Sequence, residues 1–112
     1  FMLSRFTRMV EQLIVYPEQM LHNLNLTHGI IFSQLVLLKL IDKGMTREAA
    51  YAAVQKNAMA AWEKHLEFKD LLKKDRQVNS FLKVREIDDI FRVEHFLKHV
   101  DFIFRRVFVE KK

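Results

Sequence analysis

His95 and His99 have the spacing of a metal-ligand pair. Four residues apart on a helix, two imidazoles share one face and can hold an ion, but the pair lacks the glutamate beside the first histidine that defines a zinc-protease helix. Asp101, the nearest carboxylate, lies about 200° around the helix from His99. Both histidines are therefore read as surface or half-buried side chains. His65 stands between Glu63 and Glu67. Residues two apart on a helix do not face each other, so no acid–base dyad is predicted there. His22 and His28 are isolated in the sequence. Ser33 lies in an apolar helical stretch with no nucleophile elbow around it, and is expected to pack on a neighbouring helix or bond a carbonyl one turn back. Glu86, Asp88 and Asp89 form an acidic cluster without the glycine hub of a calcium loop. The chain has two glycines, Gly29 and Gly44, too few for a phosphate-cradling loop. No catalytic residue, cofactor site or metal site is expected.

Composition narrows the remaining classes. With no cysteine, a disulfide framework and a cysteine-based zinc site are excluded. No apolar run reaches the roughly 18 residues that span a bilayer. The longest, 30–41, is broken by Ser33, Gln34 and Lys39. A membrane partner is not expected, and cytoplasmic placement fits. The opening FMLSRFTR has no signal-peptide layout, and its Phe precedes the first Met, so residue 1 is expected to be either a cloning remnant or an internal position, and the chain a fragment.

The net charge of +5 invites a nucleic-acid reading. Residues 1–45 carry 4 basic and 3 acidic side chains, 46–78 carry 7 and 5, and 79–112 carry 8 and 6. A phosphate-binding face concentrates its charge, whereas this excess is spread thinly, with local runs only at 73–76 and at Lys111-Lys112. Solvated helix faces are the expectation. A stand-alone helical interaction module, binding nucleic acid through a basic surface, is the second reading. Phe91, Phe96, Phe102, Phe104 and Phe108 can stack bases, but helical spacing makes most of them core. Phe102 and Phe108 fall off the main stripe, where they can pack on a further domain.

The elements that must carry these residues are all helical. Apolar residues at 2, 6, 9, 13 and 16, with Leu3, Val10 and Ile14 beside them, predict a helix over 2–16. Pro17 breaks it and opens a second helix over 17–27, with Met20, Leu21, Leu24 and Leu26 inward. Residues 30–43 are apolar on most sides and predict a buried central helix, closed by Gly44. Thr46 reads as the next N-cap. Residues 47–65 are rich in alanine, the strongest helix former. Val54, Ala58, Ala61 and Trp62 make their predicted buried stripe, with Tyr51 on its flank. One or two turns over 68–74, a polar connection over 75–80 and a short helix over 85–91 follow. The last helix is predicted over 93–109, with Phe96, Leu97, Val100, Ile103, Phe104 and Val107 facing in.

The segments VYPEQM, HGIIFSQ, GMTREAAYAAVQKNAMAAWE and FLKHVDFIFRRVF occur in an order and spacing that resembles the C-terminal domain of bacterial adenylosuccinate lyases, across nearly the whole chain. The resemblance implies membership of the fumarase/aspartase superfamily. It also implies a homotetrameric parent that releases fumarate from adenylosuccinate by β-elimination, without metal or organic cofactor. Its serine loop, of the form GSSxMPxKxNP, has no counterpart here, and the roles of its catalytic histidines do not transfer to His22, His28, His65, His95 or His99. Two positions depart from the pattern: Leu35 stands where many relatives have a basic residue, and Arg92-Val93 where relatives often start a helix with Asp-Pro. The resulting expectation is an all-α domain of six or seven helices. Residues 1–16 would be the end of a long helix from a central bundle domain, and 17–112 the C-terminal helical domain. Leu3, Phe6, Met9, Val10 and Leu13 are the expected oligomer interface, through which the isolated chain self-associates.

Overall fold

The computed structural model describes residues 1–108. Among them are nine α-helices, one 3-10 turn and no strand. Helix α1 is Met2–Glu11 and α2 is Pro17–Asn25; the 3-10 turn Ile30–Phe32 leads into α3, Ser33–Asp42. Then come α4 (Arg47–Lys64), α5 (Phe68–Lys74), α6 (Arg76–Asn79), α7 (Val84–Ile90), α8 (Glu94–Leu97) and α9 (Val100–Phe108). The all-α expectation holds, with finer divisions than six or seven. Asp75 separates α5 from α6 by taking an extended conformation (ψ 116°) and capping the second helix. The predicted last helix divides into α8 and α9; Val109, Lys111 and Lys112 lie outside the described residues.

The core sits among α3, α4, α5, α6 and α7. Helix α3 packs on α4 and α7, and α5 packs on α4, α6 and α7. Val36, Leu40, Phe68, Leu72, Val78 and Ile87 are fully buried there. Gly44, at φ 97°, ends α3 as its position predicts. The Thr46 hydroxyl accepts from the Ala49 amide at 3.3 Å and starts α4. Such a cap contributes about 1 kcal/mol.

Three predicted faces are corrected. Helix α4 buries its small face, Ala50, Ala53 and Ala61 with Val54 and Asn57, and leaves Trp62 59% exposed. The alanines let α3 and α5 approach the α4 backbone closely, and a bulky indole does not fit in that gap. Met20, Leu21, Leu24 and Leu26 all face solvent, as do Phe96, Leu97, Val100, Ile103, Phe104 and Val107, because α2, α8 and α9 lie outside the α3–α7 cluster. The first helix stops at Glu11 rather than running to 16. Ile14 and Val15 are β-branched, and Pro17 drives Tyr16 out of the helical region, to φ −114° and ψ 85°.

One polar network is built into the core. Asn57, a buried side chain on α4, donates through Nδ2 to the Ala53 carbonyl at 2.8 Å and to Asp75 Oδ2 at 2.9 Å. Lys56 Nζ reaches the same oxygen at 2.9 Å. Asp75 Oδ1 accepts from the amides of Gln77 (2.9 Å) and Val78 (3.4 Å). One carboxylate thus joins α4 to the start of α6. Burial pushes its pKa up, but the bonds from Asn57, Lys56 and the two amides outweigh that, and it lies below the ordinary carboxylate value.

Candidate functional site

The histidines with metal-ligand spacing do not share a helix. His95 lies on α8, while His99 precedes α9 and its carbonyl accepts from the Ile103 amide at 3.0 Å. The His95 ring is fixed instead by donating from Nε2 to the Asp89 carbonyl at 2.7 Å, which ties α8 to the end of α7. Among the described residues no group of three or more His, Asp or Glu side chains is placed to hold a metal ion.

A different pair of histidines comes together. His28 and His65, far apart in sequence, have ring centroids 5.8 Å apart in an edge arrangement. His28 Nδ1 lies 3.3 Å from Glu67 Oε1. The His28 carbonyl accepts from the Phe68 amide at 2.9 Å, so the turn before the 3-10 segment is fastened to the start of α5. Both histidines have left-handed backbones, at φ 51° and φ 52°. One sequence signal was available for this pairing, His28 immediately preceding Gly29, whereas His65 reads in sequence as the end of the alanine-rich helix and in the structure closes that helix at Lys64. Both are positions where a chain reverses. The Gly29 backbone is also left-handed, at φ +83°, and a Cβ there would stand 3.0 Å from Phe91 Cε1.

The acidic cluster is resolved into ion pairs. Glu86 pairs with Lys43, and Asp88 with both Lys69 and Lys73 at 2.7 Å. Asp89 faces Arg92. The hydrogen bond from Lys43 and the Lys83 amide hold Glu86 below its ordinary pKa, and the two lysines do the same for Asp88. Several of the basic side chains behind the +5 charge are therefore bound to neighbours rather than gathered on one face. A groove of about 410 Å³ runs beside α3 and α7, floored by Leu35, Leu38 and Ile90 and rimmed by Lys39, Asp42 and Arg85. Both signs of charge line it, and no nucleophile with an adjacent base does.

The largest uncovered chemistry is apolar. Helix α1 buries none of its residues. Leu3, Phe6, Met9 and Val10 lie on one arc of it and Leu13 just beyond its end, all exposed, with Phe6 at 64% and Leu13 at 69%. No single helix among the described residues is long and apolar enough to cross a membrane. The pair Pro17–Asn25 and Ile30–Asp42 passes by length and composition only when joined across a 72° bend. Val36 and Leu40 of that pair belong to the core.

Comparison with known proteins gives consistent matches. The family model described as adenylosuccinate lyase C-terminus matches residues 29–107. Adenylosuccinate lyase of Bacillus subtilis (strain 168) is 47% identical over 107 residues, which cover 96% of this chain and 25% of that protein. Adenylosuccinate lyase of Streptococcus mutans serotype c is 46% identical over 107 residues, with the same coverage of 96% and 25%. The chain spans about a quarter of the length of the curated relatives it matches.

Proposed function

This chain belongs to the adenylosuccinate lyase family, matching its C-terminal domain, and from that premise we propose that it completes the subunit of a lyase rather than performing the elimination itself. The parent reaction is β-elimination of fumarate from adenylosuccinate, leaving AMP, and from the related succinyl-aminoimidazole-carboxamide ribotide of purine synthesis. A base takes the proton next to a carboxylate, an acid protonates the departing nitrogen, and polar groups stabilise the carbanion between the two steps. The setting is a cytoplasmic homotetramer that needs no metal or organic cofactor.

The observation that carries this reading is the bare stripe on α1. Leu3, Phe6, Met9, Val10 and Leu13 are exposed together, and an apolar surface of that kind marks a contact that is made elsewhere. In the proposed parent, α1 ends a long helix of a central bundle and residues 12–16 lead out of it, and the rest of the subunit and its sibling subunits cover the stripe. Residues 17–112 form the terminal domain. Without that cover, the isolated chain associates with itself through the same stripe.

The test is an elimination assay on the purified chain with adenylosuccinate, following fumarate. No fumarate above the no-protein background is expected. Release above background, scaling with protein concentration, would overturn the assignment of a non-catalytic role. A nucleic-acid mobility shift on the same material separates the interaction-module reading, which requires a complex that weakens with added salt. No such complex is expected.

A further inference from the structure

The contact between His28 and His65 joins two parts of the chain at a point where both backbones are held. The His28 carbonyl accepts from the Phe68 amide at 2.9 Å, and Gly29 beside it lies against Phe91. His65 closes α4, with the Leu66 amide donating to the Ala61 carbonyl at 3.1 Å. Both rings therefore project from anchored, left-handed positions, a kind of backbone that gathers at functional sites. Of their ring nitrogens, only His28 Nδ1 has a partner among the described residues, Glu67 Oε1 at 3.3 Å. A histidine that gives its Nδ1 proton to a carboxylate presents Nε2 as a lone pair, the arrangement found behind metal-bound imidazoles. The spacing suits one shared ion. With each nitrogen about 2.1 Å from zinc, two ligating rings stand with their centres about 5–6.5 Å apart, depending on the angle at the metal. Here the centres are 5.8 Å apart and the planes meet at 61°. His65 is exposed and His28 half-buried, so both rings can swing about the soft χ2 torsion until their edges face one ion.

We propose that His28 and His65 form a two-histidine site for a borderline divalent cation of the zinc class, with Glu67 orienting His28 and water filling the remaining positions. Imidazole nitrogen selects transition cations over magnesium and calcium. Among the described residues no third His, Asp or Glu completes a group with the pair. The ion therefore binds more weakly than in a closed centre of three or four protein ligands. Bound there, it pins the turn that follows α2 to the junction of α4 and α5. It has no part in elimination chemistry, and the proposal stands apart from the lyase assignment.

The test is a calorimetric titration of the chain with Zn²⁺ at about pH 8, where free imidazole is largely neutral. One ion per chain is expected. His28→Asn and His65→Asn should each abolish saturable binding, and Glu67→Gln should weaken it by about tenfold. Asparagine tolerates the left-handed backbone at both positions, so circular dichroism should be unchanged. His22→Gln, at an exposed position on α2, should leave the affinity as it was. Unchanged affinity in His65→Asn, or no saturable binding by the parent chain, would overturn the proposal. A second measurement needs no substitution. The chain has five histidines, and in NMR a substoichiometric amount of paramagnetic Ni²⁺ should broaden the ring signals of His28 and His65 together, before the others. Broadening of a single ring, or of all five alike, would count against a shared site.

Discussion

Asp75 gathers two side-chain donors and two backbone amides onto one carboxylate, and so links α4 to α6. Replacing it with alanine removes a helix cap and leaves the buried Asn57 amide with only the Ala53 carbonyl. A loss of about 2 kcal/mol is expected in urea unfolding. The pH dependence follows from the direction of the shift. The folded pKa lies below the unfolded one, so this stabilisation is complete above the unfolded value, near pH 4, and is lost as pH falls through the folded value. Asp75→Asn should therefore unfold with a shallower loss of stability in acid than the parent. Glu86 and Asp88 shift in the same direction and steepen the same acid limb. His65 makes the opposite case. It closes α4 in a left-handed conformation that costs an L-residue about 1–2 kcal/mol. His65→Gly should raise stability by about 0.5–1 kcal/mol, read as a higher urea midpoint. In the sequence, Asp75 read only as part of a polar connection. Its burial is set by Asn57, 18 positions away, and local pattern cannot report contact at that distance.

Among the elements, those governed by local chemistry were legible. Gly44 and Thr46 punctuate α3 and α4 as written, because a left-handed stop and a hydroxyl cap each depend on a residue and its nearest neighbours. The buried face of α4 was half legible. The alanines announced close packing, but the same closeness excludes Trp62, which periodicity alone had placed inside. The faces of α2, α8 and α9 misled for a different reason. Apolar spacing tells which side of a helix avoids water and says nothing of whether its cover lies in the same 112 residues. Helix α1 provides the test at this scale. Phe6→Glu with Leu13→Glu should dissociate the self-associated chain in sedimentation at high concentration while leaving its helical circular dichroism unchanged. A parent chain that is already monomeric at that concentration would count against the α1 interface.

Taken whole, the described chain measures 58 × 36 × 23 Å with a radius of gyration of 19.1 Å. A compact chain of this length has a radius near 13 Å. The excess comes from helices with no buried residue, α1, α2, α8 and α9, around the packed α3–α7 centre. Stability should be divided accordingly. In hydrogen exchange on dilute protein, amides of α3, α4, α5 and α7 should be protected toward the global unfolding limit, while those of α1, α2 and α9 exchange near the rate of open helices. Uniform protection across all nine helices would contradict this division.

Gly29 and Phe91 carry a consequence for how this sequence can drift. The phenyl ring occupies the space that a methyl group on residue 29 would need, 3.0 Å away, and the backbone there is left-handed. A substitution at 29 therefore meets two separate obstacles, and only one of them is removed by shrinking residue 91. Position 91 can change while glycine remains, at the cost of its ring contacts with Phe32 and Phe68, but position 29 stays strained whatever stands at 91. The coupling is one-directional, and among variants of this domain the ring should be lost more readily than the glycine.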